Sequence, residues 1–343
     1  MSVRADLTSD GFQLGAERRR AAFGQRAAAS LVRAGSYLAF AAVVFVFALQ
    51  SPLFLSLANL GNVFGQSAIL GVLAIGLTVV MIAGGSNVVS GGIDLSLAAN
   101  MGLSAAVYAS LIQAGFADTG AVLAALATGL AVGAVNAISV TLLRIVPLLA
   151  TLAVMNVVAG LELVLTGNTV IPASTLLLDL LSGYGPHFIP ILAFVLVAFA
   201  AFATLGIQHT RFGLHLYAAG EFPEAARAAG LPVRRLVASS YLISGLCGGV
   251  AGILSAAYLS GSTTGAGEML LPVVVTALLG VVFSRRLVPT ITGTLLSTIF
   301  VGLLINGFQL LNISSYWVSG VQGLLILLVV AATSMLKPQG DRA

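Results

Sequence analysis

Two acids stand in or directly against long apolar stretches of the sequence. Asp94 lies in Gly91-Gly92-Ile93-Asp94-Leu95-Ser96, and Glu162 lies in the apolar run 146–166. A carboxylate at membrane depth is unfavourable against lipid, so such an acid defaults to a polar path, a titrating site or a buried partner. For Asp94 the alternative is a helix cap within 90–96. Glu162 sits near the end of its run, which stops by Gly167, so it can snorkel to the outer interface. Otherwise it faces a polar solute or answers an arginine of another subunit. Asn136, Asn156, Asn306 and Gln309 can hydrogen-bond a hydroxylated solute, although such residues also tie helices together in lipid. The candidates for a solute path are therefore Asp94, Asn136, Asn156, Glu162 and Asn306.

Covalent and metal chemistry have no comparable residues. His187, His209 and His215 lack ligand spacing with any acid or cysteine, and Cys247 is the only cysteine. No Ser/His/Asp set or carboxylate pair can be argued from spacing, so no catalytic residue and no metal ligand is expected, and the chain reads as no enzyme. The one lysine is Lys337. A phosphate-binding Walker A loop needs a lysine after its glycines. The expectation is no cofactor in this chain; if ATP drives the protein, a partner hydrolyses it.

The elements that must position these residues follow from composition. Of 343 residues, 59% are hydrophobic and 8% charged, against about 25% charged in a soluble domain. That excludes a soluble protein, a disordered chain and a single-anchor protein. At about 20 apolar residues per span, the apolar content suffices for about ten transmembrane helices. Apolar runs stand at 36–55, 61–83, 95–114, 120–143, 146–166, 188–208, 236–259, 269–283, 289–308 and 317–336. The expected fold is an all-α polytopic membrane protein with both termini cytoplasmic. A polar arm spans 1–35, a transmembrane domain 36–336 with an inner loop at 209–235, and a tail 337–343.

The orientation comes from arginine. With a cytoplasmic start, the inner loops and tail hold Arg144, Arg211, Arg227, Arg234, Arg235, Arg285, Arg286, Lys337 and Arg342, and the outer loops hold no Lys or Arg. The basic excess sits where membrane topology puts it, so nucleic acid is not an expected partner. One inner segment lacks positive charge: residues 84–94 carry Gly84, Gly85, Gly91 and Gly92. Those glycines predict a helix break, which survives at membrane depth only beside protein or a water-filled path.

The longest inner loop contains Glu221-Phe222-Pro223-Glu224-Ala225-Ala226-Arg227-Ala228-Ala229-Gly230-Leu231-Pro232. Pro223 suits the first helical position, Glu224 complements the positive end of the dipole, and Gly230 suits the left-handed stop. A helix over 223–229 follows, about 10 Å long. It is too short to persist alone and must dock on its own membrane domain or in a cleft of a cytoplasmic partner.

Glu224-Ala225-Ala226, three residues, then Gly230 resembles the coupling loop of ATP-binding-cassette importer permeases. The longer run Thr210-Arg211-Phe212-Gly213, Ala225-Ala226-Arg227, Gly230, Val233-Arg234-Arg235 and Ser244-Gly245 is similar to the ribose/branched-chain-amino-acid permease family. Gly91-Gly92-Ile93-Asp94-Leu95-Ser96 and Ser314-Ser315-Tyr316-Trp317 resemble its sugar branch (ribose, xylose or galactose). The resemblance implies a multi-pass permease of the bacterial inner membrane. It implies a second permease subunit, identical or a paralogue, a cytoplasmic ATP-binding subunit and a periplasmic solute-binding protein. It implies ATPase coupling through Pro223, Glu224, Ala225, Ala226, Arg227 and Gly230, and a monosaccharide or similar polyhydroxylated solute. The chain departs from the pattern at Leu97-Ala98, at an apparent insertion over 84–90, at Ala159, at Glu162 and at Ser284-Arg285-Arg286-Leu287. The rival expectation is an ion- or proton-coupled secondary transporter that titrates Asp94 or Glu162.

Overall fold

The computed structural model describes residues 34–35, 37–38, 40–85, 91–284, 287–314, 317–325 and 327. Most of the 1–35 arm, the 337–343 tail, residues 86–90, the Arg285–Arg286 pair and residues 315–316 lie outside the described residues. The described chain is helical, with no strand among the described residues beyond two isolated bridges, Pro172 with Gly261 and Tyr184 with Pro190.

Helices run as α1 (Phe40–Gln50), α2 (Leu57–Gly84), α3 (Leu97–Gln113), α4 (Asp118–Thr141) and α5 (Pro147–Thr166). Then come α6 (Leu176–Ser182), α7 (Ile191–Gln208), α8 (Arg211–Glu221), α9 (Pro223–Ala228) and α10 (Val233–Leu259). A 3-10 turn, Ala266–Met269, leads into α11 (Leu270–Phe283), followed by α12 (Ile291–Leu310) and α13 over 317–325. Among the described residues, seven segments are long and apolar enough to cross a membrane: α2, α4, α5, α7, α10, Ala266–Phe283 and α12. The other three apolar runs carry α1 and α3, which are shorter, and α13.

Helix α2 is apolar on all sides and so belongs at the centre of a bundle. Its most apolar stretch is 94% buried, against 28% for α5 and α7. It packs on α7, α10, α11 and α12, while α10 also packs on α3 and α4, and α5 lies outside on α3.

Lipid tails are as apolar as leucine, so burial alone does not hold such helices together; close packing and interhelical hydrogen bonds must. The α4–α10 contact shows how. Gly129 and Gly133 face Gly245 and Gly249, and a Cβ added at Gly245 would stand 2.7 Å from the Gly133 Cα. Asn100 of α3 reaches into this seam, its Nδ2 donating to Gly245 O at 3.1 Å and Gly129 O at 3.3 Å. Around α2, Thr78 and Thr294 hydroxyls pair at 2.6 Å.

Because backbone meets backbone at this seam, Gly245→Val should be destabilising by about 1–3 kcal/mol or more through overpacking. Gly206→Ala, where nothing lies within 4 Å of an added Cβ, should be neutral or slightly stabilising by helix propensity. Thermal unfolding of the purified detergent-solubilised variants, read by fluorescence-detected size exclusion, checks the contrast.

Candidate functional site

The glycine break is built at the end of α2. That helix stops at Gly84, and Gly85 takes φ 86°, ψ 164°, a region of backbone space open essentially to glycine. The chain returns as a buried, non-helical stretch from Gly91 to the start of α3. A Cβ on Gly84 would overlap the Gly92 backbone, and one on Gly92 would overlap Val80 O. Gly84 and Gly92 therefore meet at one crossing with Gly91 beside them, while Gly85 faces Gly220 of α8.

Asp94 closes that crossing. It is 1% exposed. Its Oδ1 accepts from Ser96 N at 3.0 Å, Ser96 Oγ at 2.7 Å and Asn136 Nδ2 at 3.2 Å. Its Oδ2 accepts from Ser244 Oγ at 2.7 Å. Asn136 also donates to Ser96 Oγ at 2.7 Å, which leaves its buried Oδ1 without a partner. Hydrogen bonds to a charged group are worth about 1.5–3 kcal/mol each, so this set offsets a large share of the burial of the acid. The knot pins the break to α4 and α10. Tyr241 adds a longer bond to Ile93 O at 3.4 Å. Asp94 and Asn136 are thus brought together, enclosed rather than open to a cavity.

The other predicted path residues are scattered. Asn306 and Asn59 exchange two amide hydrogen bonds, at 2.8 and 3.1 Å, which tie α12 to α2. Gln309 is exposed at the end of α12. Asn156 is exposed on the outer face of α5, donating to Leu152 O at 2.8 Å. Glu162 does not snorkel. The buried stripe of α5 is Thr151, Val158, Glu162 and Thr166, so this acid turns inward, 5% exposed. It packs where α3 carries Gly102 and the 3-10 turn carries Ala266, with Oε1 lacking a hydrogen-bond partner.

The 209–235 loop folds as two helices where one was expected. Helix α8 is amphipathic: Thr210 caps it through Gly213 N at 3.4 Å, and Gly213, Leu216 and Ala219 are buried. The sequence signal was Thr210 followed by small or apolar residues every third position. Helix α9 begins at Pro223 as expected and ends at Ala228, one residue short of 229. Glu224 and Arg227 form an exposed ion pair, and Gly230 takes φ 81°. Ala226 is the buried anchor of α9, in a cluster with Leu216, Ala219, Ile82 and Ala83. Glu224, Ala225, Arg227, Ala228 and Ala229 face outward.

Helix α8 touches the break directly. A Cβ on Gly220 would fall on Ile82 O and within 2.9 Å of Gly85 N. Beside it opens a cleft of about 920 Å³ between α8, Tyr37 and the α11–α12 turn. Burial and the Glu221 carboxylate push the Tyr217 phenol up to about 12, so its hydroxyl remains a donor, bonded to Pro289 O at 2.7 Å. Gly220, Ser96, Ser244 and Asn100 are site residues that composition did not single out as such.

Residues 59–330 match the family described as the branched-chain amino acid transport system / permease component. The chain belongs to this family. The ribose import permease protein of Escherichia coli (strain K12) is 32% identical over 88% of this chain and 93% of its own. The ribose import permease protein of Bacillus subtilis (strain 168) is 31% identical over 86% and 91%. The galactose/methyl galactoside import permease protein of Haemophilus influenzae (strain ATCC 51907 / DSM 11121 / KW20 / Rd) is 27% identical over 83% and 89%. No solved structure matches the chain. The family's members among these relatives are import permeases, which fits a multi-pass transport subunit of the bacterial inner membrane and disfavours the ion-coupled carrier.

Asp94→Leu would strand the donors of Ser96, Asn136 and Ser244, at about 1–3 kcal/mol for each left unpaired. The permease variant should therefore lose several degrees or more of thermal stability. Asp94→Asn, which keeps acceptor oxygen and shape, should lose less. Melting curves of the two variants in detergent compare them.

Proposed function

We propose that the chain is the membrane-spanning subunit of an ATP-driven importer for a monosaccharide. The carrying observation is α9: a short helix opened by Pro223 and held to its own domain by Ala226 alone among its buried side chains, presenting Glu224, Ala225 and Arg227 outward. On this reading ten helices cross the membrane within residues 36–336, both termini lie inside, and the 1–35 arm and 337–343 tail are cytoplasmic. A second permease subunit, identical or a paralogue, completes the path. A cytoplasmic ATPase receives α9 and holds all the ATP, and a periplasmic binding protein delivers the sugar.

The coupling stroke passes from Pro223–Arg227, hinged at Gly230, to α8, and from Gly220 to the glycine break at Gly84–Gly85 and Gly91–Gly92. The support is the backbone contact between Gly220 and the end of α2. The knot of Asp94 and Asn136 transmits rather than binds, and Asn306 is a helix tie. Asn156, on the poorly buried helix α5, faces the path. Glu162 stands one and a half turns further along, with an unpaired oxygen available to a sugar hydroxyl when α3 and α5 part.

Uptake of a sugar panel led by ribose and galactose, in cells carrying binding protein and ATPase, tests the reading. Uptake should require the ATPase and resist an uncoupler of the proton gradient. Glu224→Lys, Gly230→Val and Gly220→Val should each lower uptake tenfold or more, about 1.4 kcal/mol of coupling, with the chain still inserted at normal levels. Normal uptake in all three variants would overturn the coupling route, and uptake that collapses with the uncoupler would return the carrier.

A further inference from the structure

Three arginines from separate elements converge on one small groove at the inner end of the α4–α10 seam. Its cavity, about 380 Å³, is lined by Arg144, Arg227 and Arg234 with Val140, Val233 and Val237, and lies at the low end of ligand-site volumes of about 300–1,000 Å³. The arginines are held there by the backbone. Helix α4 closes with Leu143 N donating to Ile138 O and Ile145 N to Ser139 O, both at 3.1 Å. The residue between them, Arg144, takes φ 58°, where glycine is the usual occupant. Thr141 O, left over at the negative end of the helix dipole, accepts Arg234 Nε at 3.1 Å and Nη2 at 2.5 Å. Arg227 enters from α9, paired with Glu224.

The charge is not balanced. Glu224 with Arg227 is the one ion pair among the described residues, so Arg144 and Arg234 have no carboxylate partner there. The surroundings of Arg144 say where the groove lies. Leu142, Leu143, Ile145 and Val146 bracket it and are 65%, 65%, 41% and 50% exposed. Four exposed apolar residues around one cation mark a segment lying at headgroup level rather than in water.

We propose that this groove holds the phosphate of an anionic phospholipid of the leaflet facing α9. The phosphate completes the positive charge left by Arg144 and Arg234 and competes with Glu224 for Arg227, so that lipid occupancy bears on the setting of α9. The consequence for α9 rests on the coupling role proposed above. The binding itself does not, and is measured on the permease chain alone.

Native mass spectrometry of the purified full chain, titrated separately with phosphatidylglycerol, phosphatidylcholine and inorganic phosphate, tests it. Phosphatidylglycerol should be retained on the order of tenfold more strongly than phosphatidylcholine or better. Arg144→Gln, which breaks no side-chain hydrogen bond among the described residues, should weaken it roughly fivefold, and Arg144→Gln with Arg234→Gln roughly 30-fold, equivalent to about 1 kcal/mol per arginine. The paired Lys substitutions should keep the preference, and Arg235→Gln, outside the groove, should leave it unchanged. Equal retention of both lipids, or a preference that survives the double Gln variant, overturns the proposal. So does displacement by inorganic phosphate at the same concentrations, which would make the site one for a free anion. If the Gln variants keep the lipid but no longer co-purify with the ATPase, the groove is a protein contact instead. Failure of α9 coupling with lipid selectivity intact would leave this site standing and remove only its consequence.

Discussion

A chain that interrupts a helix at membrane depth must find partners for the backbone it has freed, because lipid offers none. The break between α2 and α3, whose described residues Gly91–Asp94 are buried, meets that need within the protein, and much of this end of the bundle is arranged around it. Asp94 turns back on Ser96 while holding Asn136 of α4 and Ser244 of α10. A single carboxylate thus sets the spacing of three elements. Its replacement by a group without acceptor oxygens would free two serines and an amide inside the buried bundle.

The same constraint explains the shortage of bulky residues at the crossings. With no hydrophobic drive between helices in lipid, α4 and α10 gain contact by bringing Gly129, Gly133, Gly245 and Gly249 together. Asn100 then bonds the carbonyls exposed by that closeness. Glycine at the break acts differently: Gly85 supplies a positive φ, whereas Gly84 and Gly92 supply room.

What could be read from sequence followed strong local physics. Apolar runs located the membrane helices, and Pro223 with Gly230 located both ends of α9 to within a residue, since φ preferences are local. The four glycines located the break. Long-range pairing was not legible. Nothing within α5 distinguishes Glu162 turned inward from Glu162 snorkelling, because the choice depends on Gly102 and Ala266 being small. Asp94 looked equally like a cap and a path residue. Helix α3 has Ser96 at its N-cap with no side-chain cap bond; Asp94 accepts from Ser96 just ahead of that helix, and its bond to Ser244 lies 150 positions away. Helix α8 escaped because its buried positions are mostly glycine and alanine, which carry little hydrophobic signal.

The placement of buried and exposed polarity also separates what must stay fixed from what must move. Asp94, Asn100, Asn136 and Asn306 each make at least one hydrogen bond to another element of the bundle. They rigidify α2, α3, α4, α10 and α12 into one body. Among the described residues, Asn156 bonds within its own helix and Glu162 leaves an oxygen unpaired, so α5 meets its neighbours through packing, with the chain anchored again at Ile171–Pro172. A helix held so lightly, beside a body held so firmly, is the element that can shift against it at small cost. Helix α9 repeats the pattern in the 209–235 loop, where Ala226 anchors it and Gly220 places its neighbour against the break. On the proposed coupling route, motion applied at α9 meets the break first through Gly220, and α5, the lightly held helix, is the element free to part from the body.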